Sequence, residues 1–189
     1  MIRHPQKRAD RTPGRVWASL AVLLLLWASP AAGEEGAPGE YDVKAAYIYN
    51  FAKFVEWPEK AFPGGAAPLV ITVLGRNPFG AALEALRTKT IKGRPIEVRS
   101  IDTPDDLGAC HVLYVSASEK HRLSRVLAAA GRAGLLTVSD IPGFADSGGM
   151  IGFVTEGEKI RFEINLAAAR RAEIHVSSQL LKLARYVVQ

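Results

Sequence analysis

The sequence predicts an α/β fold: a single domain with a mixed, mostly parallel sheet, helices on both faces and a C-terminal β-hairpin. Three observations favour this class. Strand-like and helix-like segments alternate three times between residues 69 and 139, as they do in parallel sheets with right-handed crossovers. Two of the strand-like segments are almost uniformly apolar, which is typical of strands buried on both faces. The short turn between the alternating runs 150–154 and 159–164 predicts an antiparallel hairpin.

The first helix is predicted to begin after Asp42 as its N-cap and to end near Glu56, because Pro58 bars its continuation. Its apolar residues occupy nearly the whole circumference. Such a helix is either buried on several sides or meets a partner with its outer face. Residues 34–40, which precede it, are polar and rich in Gly and Pro, so they predict a short disordered lead.

The central elements follow from apolar runs and turn residues. The runs 69–74 and 110–115 predict buried strands, whereas alternation over 95–101 predicts a strand nearer the sheet edge. Asn77 is a good helix cap and is followed by proline, so a helix is predicted from there to Arg87.

The C-terminal third continues the pattern and then changes it. Ser118 is predicted to cap a helix, and 135–139 forms the fourth strand. After the hairpin, Asn165 is predicted to cap the helical turn 166–171, and Ser177 caps the last helix. That last helix is predicted to carry one apolar face, formed by Leu180, Leu183, Ala184 and Val187.

Residues 1–33 have the layout of a secretory signal peptide. A basic segment precedes the apolar run 16–28, which is shorter than the roughly 20 residues that span a bilayer. Small residues and helix breakers follow, and we expect cleavage between Ala31 and Glu34. An uncleaved membrane anchor is the alternative.

Removal of this segment changes the charge of the chain. Residues 1–33 carry five of the 24 Lys and Arg residues and one of the 19 Asp and Glu residues, which leaves 19 basic and 18 acidic residues. The nearly neutral remainder has the size of one domain, and it does not favour nucleic acid as a partner.

No combination of residues points to catalysis, a cofactor or a metal. The turn 75–80 lacks the glycine spacing of nucleotide-binding loops, and no serine lies in a G-x-S-x-G motif. His111, His121 and His175 do not have the spacing of zinc ligands, and the acidic pair 105–106 fits a helix start. We therefore expect a protein that is not an enzyme and has no catalytic, cofactor-binding or metal-binding residues.

Cys110 is the only cysteine, which excludes an intrachain disulfide. It lies in the apolar run 109–115, so a buried core thiol is predicted. A redox role or intermolecular pairing is the alternative.

Seven aromatic residues fall within 22 positions: Tyr41, Tyr47, Tyr49, Phe51, Phe54, Trp57 and Phe62. Most of them must be core, but Tyr and Trp are enriched at protein interfaces. The long loop 140–149 is a second candidate recognition surface, since long loops tend to carry function. We predict Tyr49, Lys53, Trp57 and Phe144 as partner-binding residues.

Several strings resemble the YfiR-like family of periplasmic proteins. Its opening helix resembles KAAYIYNFAKFVEWP at 44–58. Its closing half resembles GGMIGFV at 148–154, IRFEIN at 160–165 and SSQLLKLA at 177–184. The resemblance covers about residues 41–188, so the chain from residue 41 to residue 189 reads as one YfiR-like domain behind the signal peptide and the lead.

The resemblance implies an exported, periplasmic, non-enzymatic regulator. Such a protein binds the periplasmic part of an inner-membrane diguanylate cyclase and represses cyclic-di-GMP synthesis, which disfavours biofilm. It also implies a homodimer as a further assembly, and no insertion into the membrane after signal cleavage. Some relatives carry cysteine pairs, whereas this chain has Cys110 alone.

A periplasmic small-ligand-binding sensor is the alternative function. It requires a real pocket, and an apolar cavity near Asn50, Phe51, Asp140, Phe144 and Asn165 would favour it.

Overall fold

A computed structural model of the protein describes residues 39–63 and 67–189. The predicted signal peptide and most of the predicted lead lie outside these described residues. The helices are α1 (Glu40–Phe54), α2 (Ala81–Glu84), α3 (Leu123–Ala133), α4 (Leu166–Arg171) and α5 (Ser178–Leu183). The strands are β1 (Val55–Glu56), β2 (Leu69–Leu74), β3 (Thr90–Ile91), β4 (Arg94–Ile101), β5 (Val112–Val115), β6 (Leu136–Ser139), β7 (Ile151–Glu156), β8 (Lys159–Asn165), β9 (His175–Val176) and β10 (Tyr186–Val188).

The main sheet has eight strands in the order β10-β8-β7-β6-β5-β2-β4-β3. The five strands from β7 to β4 are parallel, and their order in space is that of a doubly wound sheet of the flavodoxin type. β8 returns antiparallel to β7 as the predicted hairpin, and β10 then pairs parallel to β8. At the other edge, β3 pairs antiparallel to β4. The predicted class, a mixed and mostly parallel sheet with a C-terminal hairpin, is confirmed.

Alternate side chains of the central strands enter two separate cores. On β5, for example, Val112 and Tyr114 join the core beneath α1, whereas Leu113 and Val115 join the core beneath α3. This division follows from the two-residue repeat of a strand. The sheet is therefore covered on both faces, which explains the almost uniformly apolar runs in the sequence.

Helix α1 begins earlier and ends earlier than predicted. Gly39 is its N-cap, and Asp42 is the third helical residue, whose carboxylate accepts a hydrogen bond from the Gly39 backbone N–H at 2.8 Å. Asp42 therefore closes a capping box, so the predicted cap position was wrong. The chain leaves the helix at Phe54, because Val55 and Glu56 pair with β9 as a short strand.

Three other predicted boundaries were wrong. Asn77 forms a local turn by accepting the Phe79 N–H, and α2 starts only at Ala81. Ser116, rather than Ser118, caps the 3₁₀ turn that leads into α3. The last helix stops at Leu183, and the residues that follow form β10 instead of its final turn. Val187 therefore belongs to a strand rather than to the helical face predicted for it.

Candidate functional site

Three of the four predicted partner-binding residues lie on one continuous surface. Tyr49 and Lys53 occupy the last turns of α1, and Trp57 follows directly after β1. The β3–β4 hairpin packs against them from the sheet edge. We call this region the α1–β3 surface and define it by Tyr49, Lys53, Glu56, Trp57, Lys89, Lys92 and Arg94. It lies at the amino ends of the parallel strands, since β3 pairs with the start of β4.

Tyr49 fixes the contact between α1 and the edge strand. Its hydroxyl donates a hydrogen bond to the Thr90 carbonyl at 3.3 Å. The ammonium groups of Lys53 and Lys89 lie 5.5 Å and 5.2 Å from the centre of the Tyr49 ring. Both distances are within the range of cation–π interactions, so two positive charges contact the same aromatic ring.

Two further cations extend this positive surface. Lys92 donates to the Val55 carbonyl at 2.9 Å, which ties the hairpin to the end of α1. Arg94 donates to the Ala67 carbonyl at 2.8 Å, and its guanidinium lies 4.1 Å from the centre of the Phe62 ring. Among the described residues, neither these two side chains nor Lys53 and Lys89 form an ion pair with a carboxylate. Their charge is therefore available to a partner.

Trp57 lines a cleft of about 510 Å³ beside this surface. Its lining also includes Glu56, Glu59, Phe62, Leu69, Ile91, Lys92 and Arg94. The indole Nε1 of Trp57 is buried and has no hydrogen-bond partner in the part of the chain that the structure describes. A buried donor without an acceptor is costly, so this N–H is a group that a bound molecule or a water could satisfy.

The His111 ring packs against the rings of Trp57 and Phe62. Its ring stacks on Phe62 with 4.2 Å between ring centres and lies edge-on to Trp57 at 6.3 Å. The Val70 N–H donates to Nδ1 at 3.0 Å, so the proton must be on Nε2, which donates to the Ala61 carbonyl at 2.9 Å. This pair of hydrogen bonds requires the neutral imidazole, in which one nitrogen accepts and the other donates. Burial lowers the pKa of His111, which keeps it in that form.

Phe144 is not part of the α1–β3 surface. Its side chain is 1% exposed and belongs to the core beneath α3. The ring lies against Gly149 so closely that an added Cβ there would be 2.1 Å from it. The segment 140–149 is thus a folded turn built around its own aromatic residue, and Phe144 is not accessible to a partner in this conformation.

A buried polar cluster joins the start of α1 to the carboxyl end of β6. Lys44, which is 3% exposed, forms ion pairs with Asp140 at 2.7 Å and with Glu40 at 2.6 Å. The Tyr41 hydroxyl donates to Asp140 at 3.0 Å. Burial alone would raise the pKa of Asp140, but the hydrogen bond from Lys44 lowers it below its usual value. Sequence reasoning missed this cluster, although a lysine between the apolar positions Val43 and Ala45 of the first helix could have signalled it.

This cluster occupies the position where doubly wound folds bind ligands. Those folds take ligands at the carboxyl ends of their strands. Here Tyr41 and Lys44 fill the carboxyl ends of β5 and β6. The Tyr114 hydroxyl and Asp140 Oδ1 stay buried there without a hydrogen-bond partner among the described residues.

The residues named for a sensor cavity near residue 140 are divided among the cores, a helix cap, the buried polar cluster and a surface groove. Phe51 is fully buried in the packed core. The Asn165 side chain donates to the Ala145 carbonyl and accepts the Ala168 N–H, so it caps α4 as predicted. Asn50 lines a groove on the opposite side of α1, towards α2.

Cys110 is the buried thiol that the sequence predicted. Burial raises its pKa to about 11, so the thiolate is scarce at neutral pH. Within residues 39–63 and 67–189, no three His, Cys, Asp or Glu side chains are grouped as metal ligands would be. No helix in those ranges has both the length and the apolar character needed to cross a membrane.

The structure defines an α/β domain whose distinctive surface feature is an aromatic, basic edge. The chain belongs to the YfiR/HmsC-like family, whose model matches residues 41–185. Membership supports a periplasmic regulatory role in general.

Solved structures show the fold alone. A conserved domain protein from Vibrio cholerae O1 biovar eltor superposes with a TM-score of 0.54 at 12% identity, over 78% of this chain and 60% of that one. This chain therefore spans less than two thirds of that protein. The ABC domain in complex with L-Trp from Streptococcus pneumonia matches at a TM-score of 0.47 and 14% identity, over 68% of this chain and 57% of that one. No curated protein matches the sequence.

Proposed function

We propose that this protein is an exported regulator that binds the periplasmic part of an inner-membrane diguanylate cyclase through its α1–β3 surface. Binding holds the cyclase in its inactive conformation and lowers cyclic-di-GMP synthesis. The observation that carries the proposal is the convergence of Lys53 and Lys89 on Tyr49 without a neutralising carboxylate among the described residues. Together with membership of a regulatory family, it supports a protein partner with an acidic patch.

The physical requirement on such a repressor is differential binding. It must bind the inactive cyclase better than the active one, and each tenfold shift in the ratio of the two states needs about 1.4 kcal/mol. Tyr49 and Trp57 would supply rigid apolar contact, and the lysines would supply orientation and a fast encounter.

The test combines a pull-down with matched charge reversals. The full chain, expressed for export with a C-terminal tag, is used to capture proteins from envelope membranes of the source organism. We expect an inner-membrane diguanylate cyclase to be retained, and the double variant Lys53→Glu and Lys89→Glu to retain about tenfold less, since each reversed surface charge costs up to about 1 kcal/mol.

The matched control reverses two exposed cations at the carboxyl end of the sheet, Arg76→Glu and Lys120→Glu. The control should retain the cyclase as the native chain does. Cyclic-di-GMP in cells should rise only with the first double variant. Failure to capture any cyclase, or an equal loss in both double variants, would contradict the proposal.

A small-ligand sensor is the second candidate, and the cleft beside Trp57 favours it. Residues 34–189 contain one tryptophan, Trp57, so its fluorescence reports this cleft directly. Small molecules dialysed from a periplasmic extract should shift that emission if the cleft binds one of them. If the emission did not change and the cyclase was captured, the sensor function would be rejected and only the regulator function would remain.

A further inference from the structure

We propose that the cleft beside Trp57 binds a carboxylate group, which is held by the side chains of Lys92 and Arg94 and by the indole N–H of Trp57. The site rests on the proposed function, because it lies in the cleft and on the α1–β3 surface that carry that function. It adds the chemical group that is recognised there. The ligand class is a monocarboxylate with an apolar body.

The backbone of Lys92 is the first observation. Lys92 and Gly93 form the two-residue turn between β3 and β4, and both have a positive φ, of 51° and 78°. Hairpin turns of this kind favour Asn-Gly or Asp-Gly, because most other side chains are disfavoured in the left-handed region. Among the described residues, Glu173 is the only other residue besides glycine with a positive φ. Strained backbone clusters at ligand sites, so the lysine in this turn points to binding.

The cleft also contains more hydrogen-bond donors than acceptors that use them. The Lys92 ammonium has three donors and gives one to the Val55 carbonyl. The Arg94 guanidinium has five donors and gives one to the Ala67 carbonyl. Trp57 Nε1 is a buried donor without a partner in the part of the chain that the structure describes. All three side chains line the same cleft, so a ligand with two acceptor oxygens suits it.

The charge of the lining limits the ligand to a single negative charge. The exposed carboxylates of Glu56 and Glu59 also line the cleft, and they balance the charges of Lys92 and Arg94. A polyanion such as a nucleotide would place further negative charge near these two carboxylates, which is unfavourable. One carboxylate needs only the two cations and the indole N–H.

The rest of the cleft is apolar and receives the body of the ligand. Phe62, Leu69 and Ile91 form this part of the lining, and the volume of about 510 Å³ is in the range of small-molecule sites. The Phe62 ring is held between the Arg94 guanidinium and the His111 ring, so the wall is rigid. A free organic acid has this chemistry, and so does an Asp or Glu side chain of a partner protein. The experiment below separates these two sources.

The first arm measures binding of a probe acid. The full chain is expressed for export, recovered from the periplasm and titrated with 3-phenylpropionate, and Trp57 emission reports binding. The uncharged 3-phenylpropan-1-ol is the matched probe. We expect the acid to shift the emission with a saturable midpoint and the alcohol to bind at least about tenfold more weakly, because charge-assisted hydrogen bonds distinguish them.

The variants separate binding from backbone strain. Lys92→Asn should raise the thermal midpoint, because Asn accepts a positive φ, and should weaken binding of the acid about tenfold. Lys92→Gly also accepts this backbone and should weaken binding to the same extent. Glu173→Asn is the control, since it relieves the other positive φ outside the cleft. It should raise the thermal midpoint and leave binding of the acid unchanged.

The second arm repeats the cyclase capture with Lys92→Asn. If a partner carboxylate occupies the site, capture should fall with this variant, and 3-phenylpropionate should compete with the cyclase for the native chain. If a free acid is the ligand, capture should be unchanged. A native chain that binds the acid through Lys92 but captures no cyclase would refute the regulator function and leave the site standing. No response to the acid, equal binding of acid and alcohol, or native binding by both Lys92 variants would overturn the site.

Discussion

The two edges of the sheet are built in opposite ways. The β3 edge is two residues long, has Lys89 and Lys92 on either side, and is held against α1 through Tyr49. The β10 edge carries no charge within its strand and lies beside the exposed Leu183. Short length and lysines are means by which sheets avoid pairing with one another. Both edge strands are short, so the two edges differ in charge, and the β3 edge is the one suited to an acidic partner.

The two edges are also far enough apart to act independently. The eight strands of the sheet are separated by seven inter-strand distances of about 4.8 Å each, so the two edge strands lie roughly 34 Å apart. Substitutions at such a distance usually have additive effects. A change at one edge should therefore leave the other edge intact, and the predictions below test that separation.

The largest effect is expected from Phe144→Ala, which belongs to neither edge. The ring is buried against Gly149, so its removal should lower the free energy of unfolding by about 3–5 kcal/mol. Urea denaturation measures the loss. Cyclase capture, corrected for the folded fraction, should be unchanged. A variant of native stability that no longer captures the cyclase would instead make Phe144 a contact residue, as its sequence position suggested.

A smaller loss, of about 3 kcal/mol, is expected from Lys44→Met, because it leaves the Asp140 carboxylate buried without its cation. The double variant Lys44→Met with Asp140→Leu should recover most of the loss. Hydrogen exchange should quicken in α1, which carries the β3 edge, and stay slow in β8 and β10. Equal quickening at both edges would show that they are not independent.

The same pair sets an acid limit on stability. The folded pKa of Asp140 lies below its unfolded value of about 3.9. Its contribution is therefore present above that value and is lost as the pH falls through the folded pKa. The Lys44→Met chain should show a shallower loss of the thermal midpoint in acid than the native chain. Lys120→Met, at an exposed position, is the control.

The sequence predicted the sheet well because each central strand is buried on both faces, and uniform apolar runs carry that information locally. It could not predict β10. In the sequence, its Tyr-Val-Val triplet follows an amphipathic helix and resembles one more turn of that helix. The triplet forms a strand because it pairs with the side of β8 that faces away from β7. Lys44 and Asp140 were missed for a similar reason, because 96 residues separate two groups that meet only in the fold. Tyr49, Lys53 and Trp57 lie on one surface because they are close in sequence, at the end of α1 and just after β1, and their role in binding stays a prediction.

A moderate effect is expected from Trp57→Ala at the β3 edge. A half-buried tryptophan at the centre of an interface typically contributes about 2 kcal/mol, so cyclase binding should weaken about thirtyfold. Hydrogen exchange in β8 and β10, at the other edge, should not change. Trp57→Phe keeps the apolar contact and removes the N–H, so it should retain most of the cyclase binding. If both variants lost binding equally, the unpaired indole N–H would be the group that matters.

The smallest effect is expected from the protonation of His111 beneath the same edge. Burial holds its pKa below the unfolded value of about 6.5, so the unfolded chain takes up this proton before the folded chain does. Stability is therefore complete above about pH 6.5 and declines as the pH falls towards the folded pKa. His111→Gln should remove that part of the pH dependence. Trp57 emission should report a change at the β3 edge in the native chain, because the indole contacts His111. If the decline persisted in His111→Gln, another group would be responsible, and the pH response would not belong to this edge.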